Sequence, residues 1–271
     1  MAVEKLYESE DFLIVNKPFD MYINCDDENE KNTVTSHIAK HDSHMSISSN
    51  PLHFVHRLDY STSGVLCIAK NRTAAAQAGR LFEKRQTHKY YLAVVRQHPD
   101  FELGDIYYDI GVDPSPEDRH KMRAVTQAPE QAAAPCTRSA QTRLLLLETG
   151  LYCEEPVAVV LLKPMTGRRH QLRVHCSSAG HTILGDYTYS QRADSAPHRM
   201  FLHAARLVLP LPDEPLDIQT PEPFVSDPQF SSRYKPLTTL YKYRSNEEFV
   251  SACEVIDRNY TLGITYKEFK I

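Results

Sequence analysis

The sequence is organised around one stretch, residues 56–69, which reads His56-Arg57-Leu58-Asp59-Tyr60-Ser61-Thr62-Ser63-Gly64-Val65-Leu66-Cys67-Ile68-Ala69. The apolar run at its end predicts a buried strand, and the hydroxyl-rich residues before that run predict a turn. Asp59 stands beside both, where an acid is costly to bury unless it is used. We therefore take Asp59 as the candidate functional centre. The alternative is an aspartate that only caps the turn.

Length and composition describe an ordinary soluble globular protein. The 271 residues, 41% of them hydrophobic and 24% charged, allow one large domain or two modest ones. No apolar run of about 18 residues predicts a membrane span, and the acidic N-terminus lacks the apolar core of a secretory signal. The six cysteines are scattered without a C-x-x-C pair, which argues against a zinc ribbon and favours a reducing compartment. We expect a cytoplasmic protein, with the nucleus as the alternative.

The charges are segregated along the chain. A formal net charge of −4 argues at first against nucleic acid as a partner. However, residues 70–96 hold seven basic residues and one acid, and residues 156–185 hold no acid at all. Such clustering predicts a surface that binds a polyanion. Solvated helix faces are the competing explanation.

The pattern of elements predicts an α+β fold. Strands are predicted at 3–7, 12–16, 64–70, 87–95, 139–148, 156–163 and 200–209. Helices are predicted at 74–85, with Asn71 or Thr73 as its cap, at 168–179 and at 247–258. Many strands, few helices and no strand–helix–strand alternation favour a mixed, mainly antiparallel central sheet with peripheral helices. We expect a catalytic domain over residues 1–225 and a C-terminal tail, 226–271, with a terminal helix.

Three separated motifs carry a family resemblance. They are His56-Arg57-Leu58-Asp59-x-x-Thr62-Ser63-Gly64, then Lys89-x-Tyr91-x-Ala93, then Lys163-Pro164-x-Thr166-Gly167-Arg168-x-His170-Gln171-Leu172-Arg173-x-His175 followed by Gly185-Asp186-x-x-Tyr189. In this order they resemble the RluA-type pseudouridine synthases, and within them the eukaryotic group called RNA pseudouridylate synthase domain-containing proteins. The chain departs from the pattern at Phe19-Asp20-Met21 and at Arg169, and no S4-type RNA-binding module precedes the motifs.

The resemblance implies a pseudouridine synthase fold and isomerisation of uridine in RNA, without cofactor or metal. Asp59 would be the nucleophile, acting at the sugar, at the base or on the C2′ proton, alternatives that the sequence leaves open. Arg173 would pair with Asp59 and keep it ionised. Tyr91 would stack on the flipped uracil. The RNA, transfer, ribosomal or messenger, would be bound by a monomer.

Four further residues are candidates for substrate binding: Arg57, Arg168, His170 and Leu202. A plain core leucine is the competing interpretation of Leu202. Lys17 is expected to support the fold of the site rather than to react. The histidine spacings, five between His170 and His175, do not suit metal ligands on one helix face. The alternative function is an inactive RNA-binding or assembly factor of the same fold.

Overall fold

The computed structural model describes residues 2–25, 30–41, 52–115, 121–125, 136–258 and 263–270. These residues form, in chain order, β1 (Glu4–Glu8), β2 (Phe12–Lys17), α1 (Val34–His41), β3 (His53–Phe54), β4 (Ser63–Ala69), α2 (Arg72–Glu83), β5 (His88–Arg96), β6 (Leu103–Ile106), β7 (Asp109–Val112), β8 (Met122–Val125), β9 (Thr142–Tyr152), β10 (Glu155–Pro164), α3 (Gln171–Ser178), β11 (Leu202–Leu209), β12 (Leu216–Gln219), α4 (Pro228–Ser231), β13 (Tyr234–Thr239), α5 (Asn246–Asp257) and β14 (Tyr266–Phe269).

The chain divides into two compact units. The first comprises residues 1–89 and 202–220, and the second comprises residues 90–201 and 221–271. The first unit therefore contains Asp59, Arg57 and Leu202. The second contains Tyr91 and Arg173, together with Arg168 and His170.

The sheet of the first unit follows the order β1-β2-β4-β11-β12, with β3 also paired to β4. The β4–β11 pairing is parallel and the others are antiparallel. Every residue of β4 is buried, as the apolar run predicts. Asn71, one of the two candidate caps, caps α2 by accepting a hydrogen bond of 2.9 Å from the Ala74 N–H. The buried alanines of this helix pack in the same apolar cluster as residues of β2, β4 and β11.

The sheet of the second unit follows the order β5-β10-β9-β6-β14, and β13 also pairs with β9. Only the β6–β14 pairing is parallel among these, while β7 and β8 form a separate antiparallel pair. Residues 157–164 of β10, from its third residue to its end, are all buried. The predicted α+β class with a mixed, mainly antiparallel sheet and peripheral helices is confirmed.

The C-terminal segment contributes to this second sheet. The elements β13, α5 and β14 lie beyond residue 225, and each belongs to the second unit. The helix α5 lies where the terminal helix is predicted, and Ser245 and Glu248 form a capping box at its start. The division into a catalytic domain and a tail stays a prediction.

One predicted element begins too early. The sequence pattern predicts a helix from Arg168, but α3 begins at Gln171 because His170 adopts a left-handed conformation with φ of 54°. The side-chain oxygen of Gln171 accepts hydrogen bonds from the Thr166 hydroxyl at 2.7 Å and from the Arg168 N–H at 2.9 Å. These local bonds hold residues 166–170 in a turn instead of a helical turn.

Candidate active site

Asp59 lies in the turn between β3 and β4, half-buried. The Thr62 N–H donates to the Asp59 carbonyl at 3.1 Å and closes the turn. Lys17, whose side chain is fully buried, fixes the backbone of Tyr60, the residue after Asp59. The Lys17 ammonium donates to the carbonyls of Pro18 at 2.9 Å, Met21 at 2.7 Å and Tyr60 at 2.9 Å. Lys17 therefore supports the fold of the turn, as the sequence predicts.

The end of the same turn is fixed by β11. Ser63 and Gly64 pair with His203 and Ala204, and the Ser63 hydroxyl lies 2.7 Å from His203 Nδ1. Gly64 has a φ of +114°, and a Cβ there would lie 2.2 Å from the Ala204 carbonyl oxygen. Only glycine fits so close to another backbone. The motif glycine is thus required by strand packing.

Leu202 begins β11 directly before the residue that pairs with Ser63. Its side chain is 3% exposed. Within the first unit, β11 therefore places Leu202 near the start of β4, the end of that strand that follows the Asp59 turn. A core leucine explains this burial fully, so contact with the base stays a prediction.

The neighbours of Asp59 in the motif differ in exposure. His56 accepts a hydrogen bond from the Cys67 N–H at 2.8 Å, and its ring stacks on Phe82 at 4.9 Å. Burial, with a smaller contribution from Lys89, lowers the pKa of His56 to about 3. His56 is therefore a neutral structural residue. Arg57, by contrast, is exposed to solvent.

Arg173 is buried in the second unit and holds a carboxylate partner there. Its Nε and one terminal nitrogen donate to the two oxygens of Asp186 at 2.7 and 2.8 Å. The guanidinium also lies 5.0 Å from the centre of the Tyr189 ring. Arg173 and Asp186 are 8% and 1% exposed. This fork-shaped arrangement fixes the guanidinium strongly.

His170 and Arg168 lie close to this pair in the chain. The Tyr189 hydroxyl lies 3.0 Å from His170 Nδ1, and the Arg168 Nε donates to the Ser139 carbonyl at 3.0 Å. The predicted helix over 168–179 would place Arg169, His170 and Arg173 on one face, but Arg169 and His170 precede α3, and Arg169 is exposed while Arg173 is buried. Tyr189 therefore connects His170 and Arg173 in place of a helix face.

His175, further along α3, completes a chain of hydrogen bonds. Gln171 Nε2 donates to the Thr142 hydroxyl at 3.0 Å, and that hydroxyl lies 2.9 Å from His175 Nδ1. The other ring nitrogen, Nε2, lies 2.8 Å from the Tyr108 carbonyl and donates to it. Burial lowers the pKa of His175 to about 4. Both motif residues thus attach α3 to the second sheet.

Tyr91 lies on β5 opposite Leu162 of β10 and is half-buried. The preceding Tyr90 is 3% exposed, and its hydroxyl donates to Asp257 of α5 at 2.6 Å. Because successive strand residues point to opposite faces, Tyr91 points to the face of β5 opposite that of Tyr90. The burial of Tyr90 and its hydrogen bond to Asp257 give this side chain a packing role. Stacking of Tyr91 on a base stays a prediction.

The sequence analysis assigned no role to three residues of the third motif that make many of its hydrogen bonds in the structure: Asp186, Tyr189 and Gln171. The signal was present in the third motif, where Gly185-Asp186-x-x-Tyr189 follows Arg173. A buried arginine needs a buried acid, so an aspartate in the same motif is a candidate partner. The predicted pairing of Arg173 with Asp59 stays a prediction.

Among the residues that the structure describes, no group of three or more histidines, cysteines, aspartates and glutamates has the geometry of a metal site. None of their helices has the length and apolar character needed to cross a membrane.

The chain is similar in sequence and in structure to several known proteins, which are described as RNA pseudouridine or pseudouridylate synthases. The family model of RNA pseudouridylate synthase matches residues 11–178. RNA pseudouridylate synthase domain-containing protein 1 of Danio rerio is 42% identical over 86% of this chain and 78% of its own length. The dual-specificity RNA pseudouridine synthase RluA of Escherichia coli strain K12 is 34% identical over 76% of this chain and 86% of its own. The solved structure of human RNA pseudouridylate synthase domain containing 1 covers 93% of this chain and 94% of its own, with a TM-score of 0.78 and 36% identity.

Proposed function

Because the chain belongs to the RNA pseudouridylate synthase family, we propose that it isomerises uridine to pseudouridine in RNA with Asp59 as the nucleophile. The resemblance stated from the three motifs and the pseudouridine synthase fold that it implies are both confirmed. In the reaction the N1–C1′ bond breaks, C5 bonds to C1′, the C5 hydrogen leaves and N1 gains a proton. Nothing is oxidised and no group enters, so the proposal requires no cofactor.

The observation that carries the proposal is the construction of the Asp59 turn. The Thr62 N–H closes the turn, and the buried Lys17 ammonium donates a hydrogen bond to the Tyr60 carbonyl within it. Asp59 itself keeps part of its surface accessible. A carboxylate on a turn that is rigid at both sides suits a nucleophile, because little reorganisation is needed when the substrate arrives.

The remaining roles are proposed together. Arg173 pairs with Asp59 in addition to its fork with Asp186. Tyr91 stacks on the flipped uracil and offsets part of the few kcal/mol that unstacking costs. The substrate-binding residues are those already predicted: Arg57, Arg168 and His170 for contacts with phosphates or base edges, and Leu202 for contact with the base.

One assay tests this function. The wild-type protein and an Asp59→Asn variant are incubated with unmodified cellular RNA, which is then digested to nucleosides. Pseudouridine and uridine have equal mass, so they are separated by liquid chromatography before mass spectrometry. We expect product from the wild type and a loss on the order of 10⁴-fold or more in the variant.

Circular dichroism of Asp59→Asn provides the control for folding, since asparagine is isosteric with aspartate and the turn is closed by the backbone of residue 59. Absence of product from the wild type on every RNA class would favour the inactive RNA-binding factor. Equal product from both proteins would remove Asp59 from the mechanism. The RNA class, transfer, ribosomal or messenger, is then identified by crosslinking, and we propose that a cytoplasmic monomer acts on it.

A further inference from the structure

Two exposed tyrosines lie in contact beside Asp59. Tyr60 follows Asp59 directly, so their Cα atoms are about 3.8 Å apart. Its ring centroid lies 4.6 Å from that of Tyr22, with 50° between the ring planes. The two side chains remain 42% and 44% exposed. Large aromatic rings left in solvent next to a candidate nucleophile need an explanation.

The backbones that carry these rings are held rigidly. Lys17 donates to the carbonyls of Met21 and Tyr60, and the Met21 N–H donates to the Tyr60 carbonyl at 3.2 Å. Tyr22 is fixed in turn, since its N–H donates to the Asn32 carbonyl at 3.2 Å and its carbonyl accepts from the Val34 N–H at 2.9 Å. The pair therefore presents its rings with little conformational entropy left to lose on binding.

The surroundings of the pair indicate which part of an RNA it would contact. Burial raises the pKa of the Tyr60 hydroxyl, and the carboxylates of Asp20 and Glu30 raise it further. Two acids beside the rings disfavour a phosphate there. The face of a nucleobase is uncharged and stacks on aromatic rings whatever its sequence. The exposed Arg57, two residues before Asp59, offers the cation that a neighbouring phosphate needs.

We propose that Tyr22 and Tyr60 form a stacking platform for an unpaired base of the substrate RNA next to the target uridine. The proposal rests on the proposed function, because it places the platform beside the nucleotide that Asp59 attacks. The platform's ligand is a single-stranded nucleobase, not a phosphate and not a protein.

Fluorescence tests the contact directly because the chain contains no tryptophan. A Tyr60→Trp variant carries one tryptophan at the platform, and Tyr107→Trp carries one at a tyrosine of the second unit that is 37% exposed. Both are titrated with a twelve-nucleotide oligouridylate and with an abasic ribose-phosphate chain of equal length. We expect quenching of Tyr60→Trp by oligouridylate only, and none of Tyr107→Trp by either. Equal quenching by the abasic chain, or none by oligouridylate, would overturn the proposal.

Affinity measurements separate stacking from charge. By fluorescence anisotropy, Tyr60→Leu and Tyr22→Leu should each bind labelled oligouridylate about 5- to 100-fold more weakly, while Tyr60→Phe should stay within about twofold of the wild type. The dependence on salt should be unchanged, because no phosphate contact is lost. A reduced salt slope in the leucine variants would show a phosphate contact and refute the base platform.

The two proposals fail in different ways. If the wild type forms pseudouridine but the leucine variants keep both wild-type affinity and wild-type KM, the platform is refuted and the function stands. If the wild type forms none, the function is refuted, and the quenching of Tyr60→Trp still decides whether a base stacks there.

Discussion

The buried pair of Arg173 and Asp186 predicts a large loss of stability when one partner is removed. In Asp186→Ala the guanidinium loses two acceptors at 2.7 and 2.8 Å while remaining 8% exposed. Removing one partner of a buried, hydrogen-bonded ion pair costs about 3–5 kcal/mol. For a domain of this size each kcal/mol lowers Tm by about 2–4 °C, so Tm should fall by about 6–20 °C. The Tyr189 N–H also loses its 3.2 Å acceptor on Asp186, which acts in the same direction.

Thermal unfolding followed by circular dichroism measures this loss. The matched control is Asp100→Ala, which removes an aspartate that also pairs with a cation, Lys267 at 2.8 Å, but whose side chain is 75% exposed. Exposed pairs contribute little, so the Tm of this control should change by less than about 2 °C. A Tm for Asp186→Ala within about 2 °C of the control would refute the reasoning.

A double variant separates stability from catalysis. Replacing both partners by apolar residues, as in Arg173→Met with Asp186→Leu, removes the uncompensated charge, and such replacements are often neutral or stabilising. The double variant should therefore recover most of the Tm lost in Asp186→Ala while forming no pseudouridine. Arg173→Ala alone is a poor test of catalysis because it leaves the Asp186 carboxylate buried without its partner. Full activity in the double variant would remove Arg173 from the mechanism.

Three further predictions concern single sites. The pKa of His175 is lowered from 6.5 to about 4, so the unfolded chain binds a proton at this residue that the folded chain excludes. His175 should therefore contribute a loss of stability of roughly 2 kcal/mol between pH 7 and pH 5, and His56, whose pKa is lowered to about 3, should contribute a similar loss. A His175→Gln variant unfolded in urea at both pH values should lose the His175 share of this dependence and keep the His56 share. Gly64→Ala should lower the free energy of unfolding by about 2 kcal/mol or more, because its Cβ would lie 2.2 Å from the Ala204 carbonyl oxygen. Gly180→Ala, also at positive φ but in open space, should lower it by only about 1 kcal/mol. Similar losses of stability in the two variants would contradict the packing argument. Lys17→Met should remove one donor from each of three carbonyls, those of Pro18, Met21 and Tyr60, and destabilise the protein by about 2 kcal/mol. It should also lower kcat more than KM, and an unchanged kcat would show that the Asp59 turn does not depend on Lys17.

The sequence predicts those parts of the fold that depend on local pattern. The helix α2 begins where Asn71 can cap it, and β4 and β10 are apolar runs that only a buried strand explains. The strand β13 was missed because five of its six residues are exposed, so its sequence shows no alternation. It is held by pairing with β9, a long-range contact that no window of sequence displays.

The candidate site shows the same limit. Asp59 and Arg173 are recognisable because their residue types suit the chemistry and stand in motifs. The contacts that orient them come from distant positions: Lys17 is 43 residues from the Tyr60 carbonyl that it holds, and Asp186 is 13 residues from Arg173. A bond of this kind depends on how the chain returns to itself, so residue type alone could not assign it.

Exposure divides the opening motif into residues that build the turn and residues that are left for chemistry. Leu58, Thr62, Ser63 and Gly64 are buried. His56 accepts a backbone N–H, and its pKa, lowered to about 3 by burial, keeps it uncharged at neutral pH. A neutral imidazole whose Nε2 already accepts a backbone N–H is a poor candidate for proton transfer. Surface available to an RNA is therefore concentrated on Arg57, Asp59 and Tyr60, a cation, a carboxylate and an aromatic ring in four consecutive positions. Those are the three kinds of group that phosphate contact, nucleophilic attack and base stacking require.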